Sequence, residues 1–292
     1  MASQHSQLII SIFATSLLAT IMKSYLAAAI QMTSLPDLAK NLAQAEELIE
    51  LAVRRGAELV SLPENFAFLG TEEDKLTQAD SIATQAEKFL KTTAQKFQVT
   101  LVGGGFPVPV GTEGKVYNTA LLVGPNGEEL CRYEKAHLFD VDLPDGNTYR
   151  ESKTVMAGLK LPEVYHSPDL GGIGLSVCYD VRFPELYRHL SKLGADVLLV
   201  PAAFTAYTGK DHWQVLLQAR AIENTCYVIA PAQTGTHYAM RQTHGHAMII
   251  GPWGVILADA GDLPGVAIAE ISPTRLARAR AQMPSLQHRV FA

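Results

Sequence analysis

A chain of 292 residues, 48% hydrophobic and 18% charged, carries enough apolar side chain for one large buried core and does not have the make-up of a disordered segment. Its net charge of −5, with neither a Lys/Arg run nor a basic stripe interleaved with aromatics, excludes a nucleic-acid partner. The three cysteines at 131, 178 and 226 are odd in number and scattered, which argues against a disulfide framework or a CxxC metal site and for a reducing, cytoplasmic compartment.

Leu8 to Met22 is an apolar and hydroxyl run without a charge. It is shorter than the ~20 residues a bilayer-spanning helix needs, and no Lys or Arg precedes it. Residues 1–22 are therefore expected to form an extension outside the fold, with no membrane contact. An ordered amphipathic accessory segment and a secretion signal are the alternatives. Residues 23–292 are expected to form a single domain, which opens with a strand over Tyr25 to Met32. A helix over Leu38 to Arg55 follows, ended by Gly56, and then a second buried strand over Ala57 to Leu62. Strand, helix, strand is the unit that builds an α/β sheet, and such sheets place their chemistry at strand carboxyl ends, where Pro63-Glu64-Asn65 stands.

Farther along, Thr77 to Phe97 predicts a helix and Val99 to Val102 a strand leaving through Gly103-Gly104-Gly105. The GxGxxG spacing is absent, so the glycines are not assigned to phosphate. Tyr117 to Val123 and Glu129 to Tyr133 flank Pro125-Asn126-Gly127, a hairpin signal, and the second arm delivers Glu134-Lys135. Asp140 to Gly158 is predicted to be a long loop. Glu185 to Leu193 and Trp213 to Asn224 are predicted helices, while Asp196 to Pro201 and Cys226 to Ala232 are predicted strands. A hairpin is expected across Pro252-Trp253-Gly254, then a short basic helix over Arg275 to Arg280. In the tail, Leu286, Val290 and Phe291 would be poorly covered alone, which points to packing on a second subunit.

Gly171 to Tyr187 draws these parts together. Ile173, Leu175 and Val177 alternate with small residues as in a buried strand, Cys178 follows at its end, and Pro184 opens a helix. Cys178 is either a small buried hydrophobe or a nucleophile lifted out of the sheet among unpaired backbone N–H groups. A sheet gathers its strand ends on one rim, which would bring Glu64, Lys135 and Cys178 together. A carboxylate can take the thiol proton and return it to a leaving amine, and an ammonium can hold a tetrahedral oxyanion.

Pro63-Glu64-Asn65, Tyr133-Glu134-Lys135-Ala136-His137 and Cys178-Tyr179-Asp180-Val181-Arg182-Phe183-Pro184-Glu185 resemble the Glu, Lys and Cys motifs of the nitrilase (carbon-nitrogen hydrolase) superfamily, in that family's order. The likeness covers Tyr25 to Arg289. Later segments, among them Tyr207 to Trp213, Gln218 to Asn224 and His244-Gly245-His246, are similar to the Nit branch, and more so to its deaminated glutathione amidases than to its ω-amidases. The resemblance implies an α/β fold of nitrilase type, an α-β-β-α sandwich of four layers with two central sheets, becoming eight-layered in a homodimer or larger even oligomer. It implies hydrolysis of a small-molecule amide bearing a carboxylate, through a Cys178 thioester, with no metal or cofactor. Glu64 would be the base, Lys135 and the Tyr179 N–H would hold the oxyanion, and Glu151 matches the family's second glutamate. Deaminated glutathione, cleaved to 2-oxoglutarate and Cys-Gly, comes ahead of 2-oxoglutaramate or 2-oxosuccinamate. An acyltransferase or a non-catalytic binding protein on the same fold is the other class.

Arg182 could pair with a substrate carboxylate, or with Glu185 or Asp180. Phe204 and Thr208 are candidates for the pocket wall. Gly174-Leu175-Ser176-Val177-Cys178 misses the serine-hydrolase GxSxG turn at its last position, so Ser176 is expected to point inward. His244 and His246 have no carboxylate nearby in sequence and are expected to be core or interface residues.

Overall fold

The computed structural model describes residues 22–111 and 114–290, so the expected extension up to residue 21, and Phe291, lie outside the described residues. The chain opens with β1 (Tyr25–Met32), α1 (Leu38–Arg54), β2 (Ala57–Ser61), α2 (Glu72–Thr77), α3 (Ala79–Phe97) and β3 (Thr100–Val110). β4 (Lys115–Val123), β5 (Glu129–Glu134), β6 (Asp140–Asp142), β7 (Thr148–Arg150), β8 (Val164–Ser167), β9 (Gly171–Leu175), α4 (Pro184–Lys192) and β10 (Val197–Leu199) come next. α5 (Ala206–Asn224) leads into β11 (Tyr227–Ala230), β12 (Ala232–Thr236), β13 (Gln242–His244), β14 (Met248–Ile250), β15 (Ile256–Asp259), β16 (Gly265–Ile271) and α6 (Pro273–Gln282).

Two sheets form the centre. The first runs β13-β12-β1-β2-β3-β4-β5, with β16 also paired to β1, and the second runs β15-β14-β11-β10-β9-β8. β1 shows why its sequence is apolar without alternation. Ala27 and Ala29 face the second sheet while Ala28 and Ile30 pack with α1 and α3, and all four are buried. α4 and α5 cover the second sheet through Tyr187, Leu190, Trp213 and Leu217, which completes the four layers of a nitrilase-type sandwich.

The glycines at 103–105 serve close approach, not phosphate. A Cβ on Gly104 would stand 2.2 Å from Cβ of Pro201 on the opposing sheet and 2.5 Å from the Leu62 carbonyl oxygen. Elsewhere the local signals hold. Asp37 caps α1 by accepting from the Lys40 N–H, Gly56 takes φ +90° just past its end, and Pro184 is the first residue of α4.

Three expectations are corrected. The segment from Asp140 to Gly158 holds the β6–β7 hairpin and a 3-10 turn over Glu151–Lys153. α5 begins at Ala206, two turns before Trp213, because Gly209 hides the pattern. That glycine is required, since a Cβ there would lie 2.3 Å from Cβ of His244. His246 does meet carboxylates, with Nδ1 3.0 Å from Asp259 and Nε2 3.2 Å from Asp262, residues distant in sequence. Among the described residues no helix is long and apolar enough to cross a membrane.

Candidate active site

Parallel pairing of β1, β2 and β3, and of β9, β10 and β11, sends the carboxyl ends of both groups to one rim. Glu64 and Lys135 leave the first sheet there and Cys178 leaves the second, so two sheets supply the rim that one was expected to supply. The crossing is short because the chain beyond β10 bridges to the first sheet through Ala202 and Ala232. It presents the Ala203 N–H to Glu64 Oε2 at 2.9 Å.

Glu64 and Lys135 are almost fully buried, at 4% and 2% exposure. The ammonium donates to Glu64 Oε1 at 3.1 Å and to Glu151 Oε1 and Oε2 at 3.0 and 2.9 Å, which occupies its three protons. Asn118, on β4, donates from Nδ2 to Glu64 at 2.8 Å and to Glu151 at 3.2 Å, tying the two carboxylates together. Glu151 reaches the cluster because the β6–β7 hairpin folds it back, and the Phe139 N–H anchors its Oε2 at 2.6 Å. Gly105 adjoins this network, and a Cβ there would meet Asn118 Oδ1 at 2.4 Å and Glu64 Cγ at 2.8 Å.

Cys178 has φ +48° and the neighbouring Asn65 has φ +60°, left-handed conformations that a non-glycine residue keeps only where its surroundings enforce them. The Cys178 N–H donates to the Pro201 carbonyl at 2.9 Å. By contrast, the Tyr179 N–H has no protein acceptor among the described residues, leaving a donor free beside the sulfur.

Burial opposes every charge here, and the outcome depends on partners. Burial would raise Glu64, but the Lys135 charge, the adjacent Cys178 thiol and the Ala203 N–H hold its carboxyl below the ordinary value. Burial would lower Lys135, yet Glu151 and Glu64 raise it well above its usual range. Burial and the Glu64 charge push the Cys178 thiol well above its ordinary value, against the pull of Lys135. The resting site is thus carboxylate, ammonium and neutral thiol. Cys226 is also pushed up, to about 11, by burial, and its thiol donates to the Ala195 carbonyl at 3.1 Å, a structural role.

Asp180 is a site residue that the sequence did not single out. It is fully buried, with Oδ2 accepting from Tyr133 Oη at 2.9 Å and from the Val177 N–H at 2.9 Å. Oδ1 accepts from the His137 N–H at 3.1 Å and lies 2.7 Å from His137 Nδ1. One carboxylate therefore locks the strand end carrying Lys135 to the turn carrying Cys178. Asp180→Ala leaves several buried donors unpaired and is expected to cost about 3 kcal/mol or more in urea unfolding. A loss under about 1 kcal/mol would contradict this locking role.

Glu64, Asn118, Lys135 and Cys178 line a cavity of about 270 Å³ that also takes in Glu151, Tyr179, Phe204 and Thr208. Arg182 is not among the lining residues. Its guanidinium lies 3.3 Å from His212 Nδ1 and over the rings of Phe204 and Tyr179, at 5.3 and 5.7 Å, so it backs the wall without pairing to Glu185 or Asp180. Besides Lys135, the lining holds the cations Lys75, Arg150 and Arg241, of which Lys75 is paired with Glu72 and Arg150 with Asp142; Arg241, whose Nε has no partner, was passed over by sequence analysis because Met240-Arg241-Gln242 carries no periodic or motif signal. Ser176 is buried as expected, its Oγ bonded to Tyr187 Oη at 2.7 Å and to the Leu199 carbonyl at 2.8 Å.

Comparison with known proteins follows the geometry. The chain is 75% identical over 271 residues to the deaminated glutathione amidase of Synechocystis sp. (strain PCC 6803 / GT-S), covering 92% of this chain and 100% of the relative. Among solved structures, the Caenorhabditis elegans NitFhit protein superposes with a TM-score of 0.87 at 37% identity, over 92% of this chain and 66% of that one. Saccharomyces cerevisiae Nit3, of branch 10 of the nitrilase superfamily, superposes with a TM-score of 0.83 at 29% identity, over 93% of this chain and 98% of that one. The carbon-nitrogen hydrolase family model matches residues 26–281, nearly the whole described fold, and the chain belongs to that family.

Proposed function

We propose that this enzyme is a thiol-dependent amidase that hydrolyses deaminated glutathione to 2-oxoglutarate and Cys-Gly. The observation that carries the reaction is the placement of the Cys178 thiol, the Glu64 carboxylate and the Lys135 ammonium on one cavity, with the free Tyr179 N–H beside them. Cys178 Sγ attacks the amide carbon as Glu64 takes its proton, so the C–S bond forms while charge moves to the carbonyl oxygen. Lys135 and the Tyr179 N–H receive that oxyanion, the ammonium giving up one of its two contacts with Glu151. Glu64 then protonates the departing nitrogen as the C–N bond breaks, leaving a thioester. Water enters, Glu64 takes its proton, the acid forms and the thiol is restored. Glu151 and Asn118 are positioning residues, since they hold the base and the ammonium.

The 75% identity to a deaminated glutathione amidase supports the substrate. The test compares wild-type turnover of deaminated glutathione and 2-oxoglutaramate, following Cys-Gly and ammonia release. A preference for 2-oxoglutaramate would replace this substrate assignment with ω-amidase action, and product appearing only with an added acyl acceptor would make the enzyme a transferase.

The charge states set the pH dependence. Glu64 must be ionised and its pKa lies below the ordinary 4.5, so activity present at neutral pH is lost only as pH falls through that lowered value. The thiol ionises well above 9.0, so kcat/KM stays flat through neutral and mildly alkaline pH. A rise centred near 9 would show that a preformed thiolate is the nucleophile and would remove Glu64 as the base.

The one catalytic domain spans residues 23–292, and Met22 packs against its core. The three free cysteines support a cytoplasmic setting, and the exposed Met283 and Val290 of the tail support burial against a second subunit in an even homo-oligomer.

A further inference from the structure

The catalytic cavity does not end at its mouth. A second depression of about 540 Å³ continues outward from it, and the two share Thr148, Tyr149, Thr205, Tyr238 and Arg241. The inner cavity, about 270 Å³, falls just below the ~300–1,000 Å³ that encloses a drug-sized ligand, so a tripeptide-sized substrate must extend into the outer groove. The order of events fixes which half lies outside. The acyl group stays on Cys178 through the thioester stage, whereas the amine must depart before water arrives, so the amine occupies the open end.

Arg241 stands at the junction. Its Nε is buried without a hydrogen-bond partner, and its guanidinium lies 5.6 Å from the Tyr149 ring centre. The turn that presents it is built for the purpose. Ala239 and Met240 take φ +48° and +61°, consecutive left-handed residues with no glycine to ease them. The Arg241 N–H donates to the Tyr238 carbonyl at 3.0 Å, and the His237 N–H donates to the Arg241 carbonyl at 2.8 Å. His237 is itself held between the Ser34 carbonyl, at 2.8 Å, and Thr243 Oγ1, at 2.7 Å. Farther out, Lys210 adds a second positive charge to the groove, while the Asp145 carboxylate is bonded to the backbone and side chain of Asn147.

We propose that this outer groove is a leaving-group subsite in which Arg241 receives the carboxylate of a peptide-like amine, with Lys210 adding attraction at the rim. The enzyme is thereby fitted to release an amino-acid or dipeptide acid in preference to ammonia. This rests on the amidase assignment above. It also goes beyond it, because it names the side chain that separates long substrates from short ones with the same acyl group. A guanidinium with an unpaired Nε offers a carboxylate two parallel hydrogen bonds, which an ammonium at the same place cannot match.

The test uses Arg241→Gln and Arg241→Lys with three substrates, namely deaminated glutathione, its C-terminal glycinamide and 2-oxoglutaramate. All three deliver the same acyl group to Cys178, so differences report on the amine side. For Arg241→Gln, kcat/KM for deaminated glutathione is expected to fall about 10- to 100-fold, mostly in KM. The fall for 2-oxoglutaramate should be at least about tenfold smaller, and its turnover shows that the variant is folded. Wild type should lose a similar factor on the glycinamide, to which Arg241→Gln adds little, and Arg241→Lys should fall between. Equal losses on the long and short substrates, or a glycinamide handled as well as the acid, would overturn the subsite while leaving the amidase standing. No wild-type turnover of deaminated glutathione would overturn the substrate assignment and the subsite with it.

Discussion

Cys178→Ala is expected to lower kcat by about 10⁴-fold or more, to the level of the uncatalysed reaction assisted only by binding. Cys178 is the one cysteine among the lining residues described, and its sulfur is a far better nucleophile toward the acyl carbon than the Thr and Tyr hydroxyls that share the cavity. Glu64 is poised to accept a proton and Lys135 to hold a charge, and neither is free to attack while each is engaged by the other. Intact-mass spectrometry of acid-quenched enzyme offers a second measurement. Wild type should carry an acyl adduct during turnover of either amide, and the variant none. Cys178→Ser should remain nearly inactive, because a hydroxyl is far harder to deprotonate than a thiol and Glu64, held below its ordinary pKa, is a weak base. Turnover above about 1% of wild type in Cys178→Ala would remove the thioester from the mechanism.

Lys135→Gln is expected to cost about 10³- to 10⁴-fold in kcat/KM, by two routes that can be measured apart. The first is the lost oxyanion donor, worth about 3 to 4 kcal/mol in a comparable site, or roughly 10²- to 10³-fold. The second acts through Glu64. With the ammonium gone, burial dominates, and the buried Glu64 and half-buried Glu151 carboxylates joined by Asn118 no longer share that cation. The Glu64 pKa then rises above its ordinary value, so the acid limb of the pH profile should move upward and part of the lost activity should return as pH increases. An unshifted acid limb would mean that Lys135 does not set the ionisation of Glu64. Stability should also fall by about 3 kcal/mol or more, since removing one partner of a buried ion pair leaves uncompensated charge. A thermal scan of ligand-free enzyme separates this loss from the kinetic one.

The parts of the site that were legible in the sequence are those whose chemistry is local. Glu64 and Cys178 each stand at the end of an apolar run read as a strand, Lys135 ends the second arm of the hairpin signalled by Pro125-Asn126-Gly127, and Pro63 and Pro184 mark where the chain turns. Glu151 was legible as a match to the second glutamate, although the segment around it was expected to be loop. Its place on Lys135 comes from the β6–β7 hairpin, whose three-residue strands are too short to show a period. Asn118 was not legible at all. A lone Asn in a strand looks like an ordinary polar position, and only the pairing of β4 with β3 and β5 puts it between the two carboxylates. Asp180 was visible only as a possible partner for Arg182. Its true partners, Tyr133 and His137, lie more than forty positions earlier in the chain.

By itself the sequence determined the class of fold, the order of its main elements and the three groups that could perform the chemistry. Hydrophobic period, caps and turn residues act over a few neighbours and survive without tertiary context. The tertiary structure alone decided that the rim is shared by two sheets, that the thiol rests protonated beside an ionised carboxylate, and that Arg241 rather than Arg182 lines the cavity. Each of those depends on burial and on distances between residues far apart in the chain. Desolvation and charge interactions change steeply over a few ångströms, and the linear order of residues does not encode such distances.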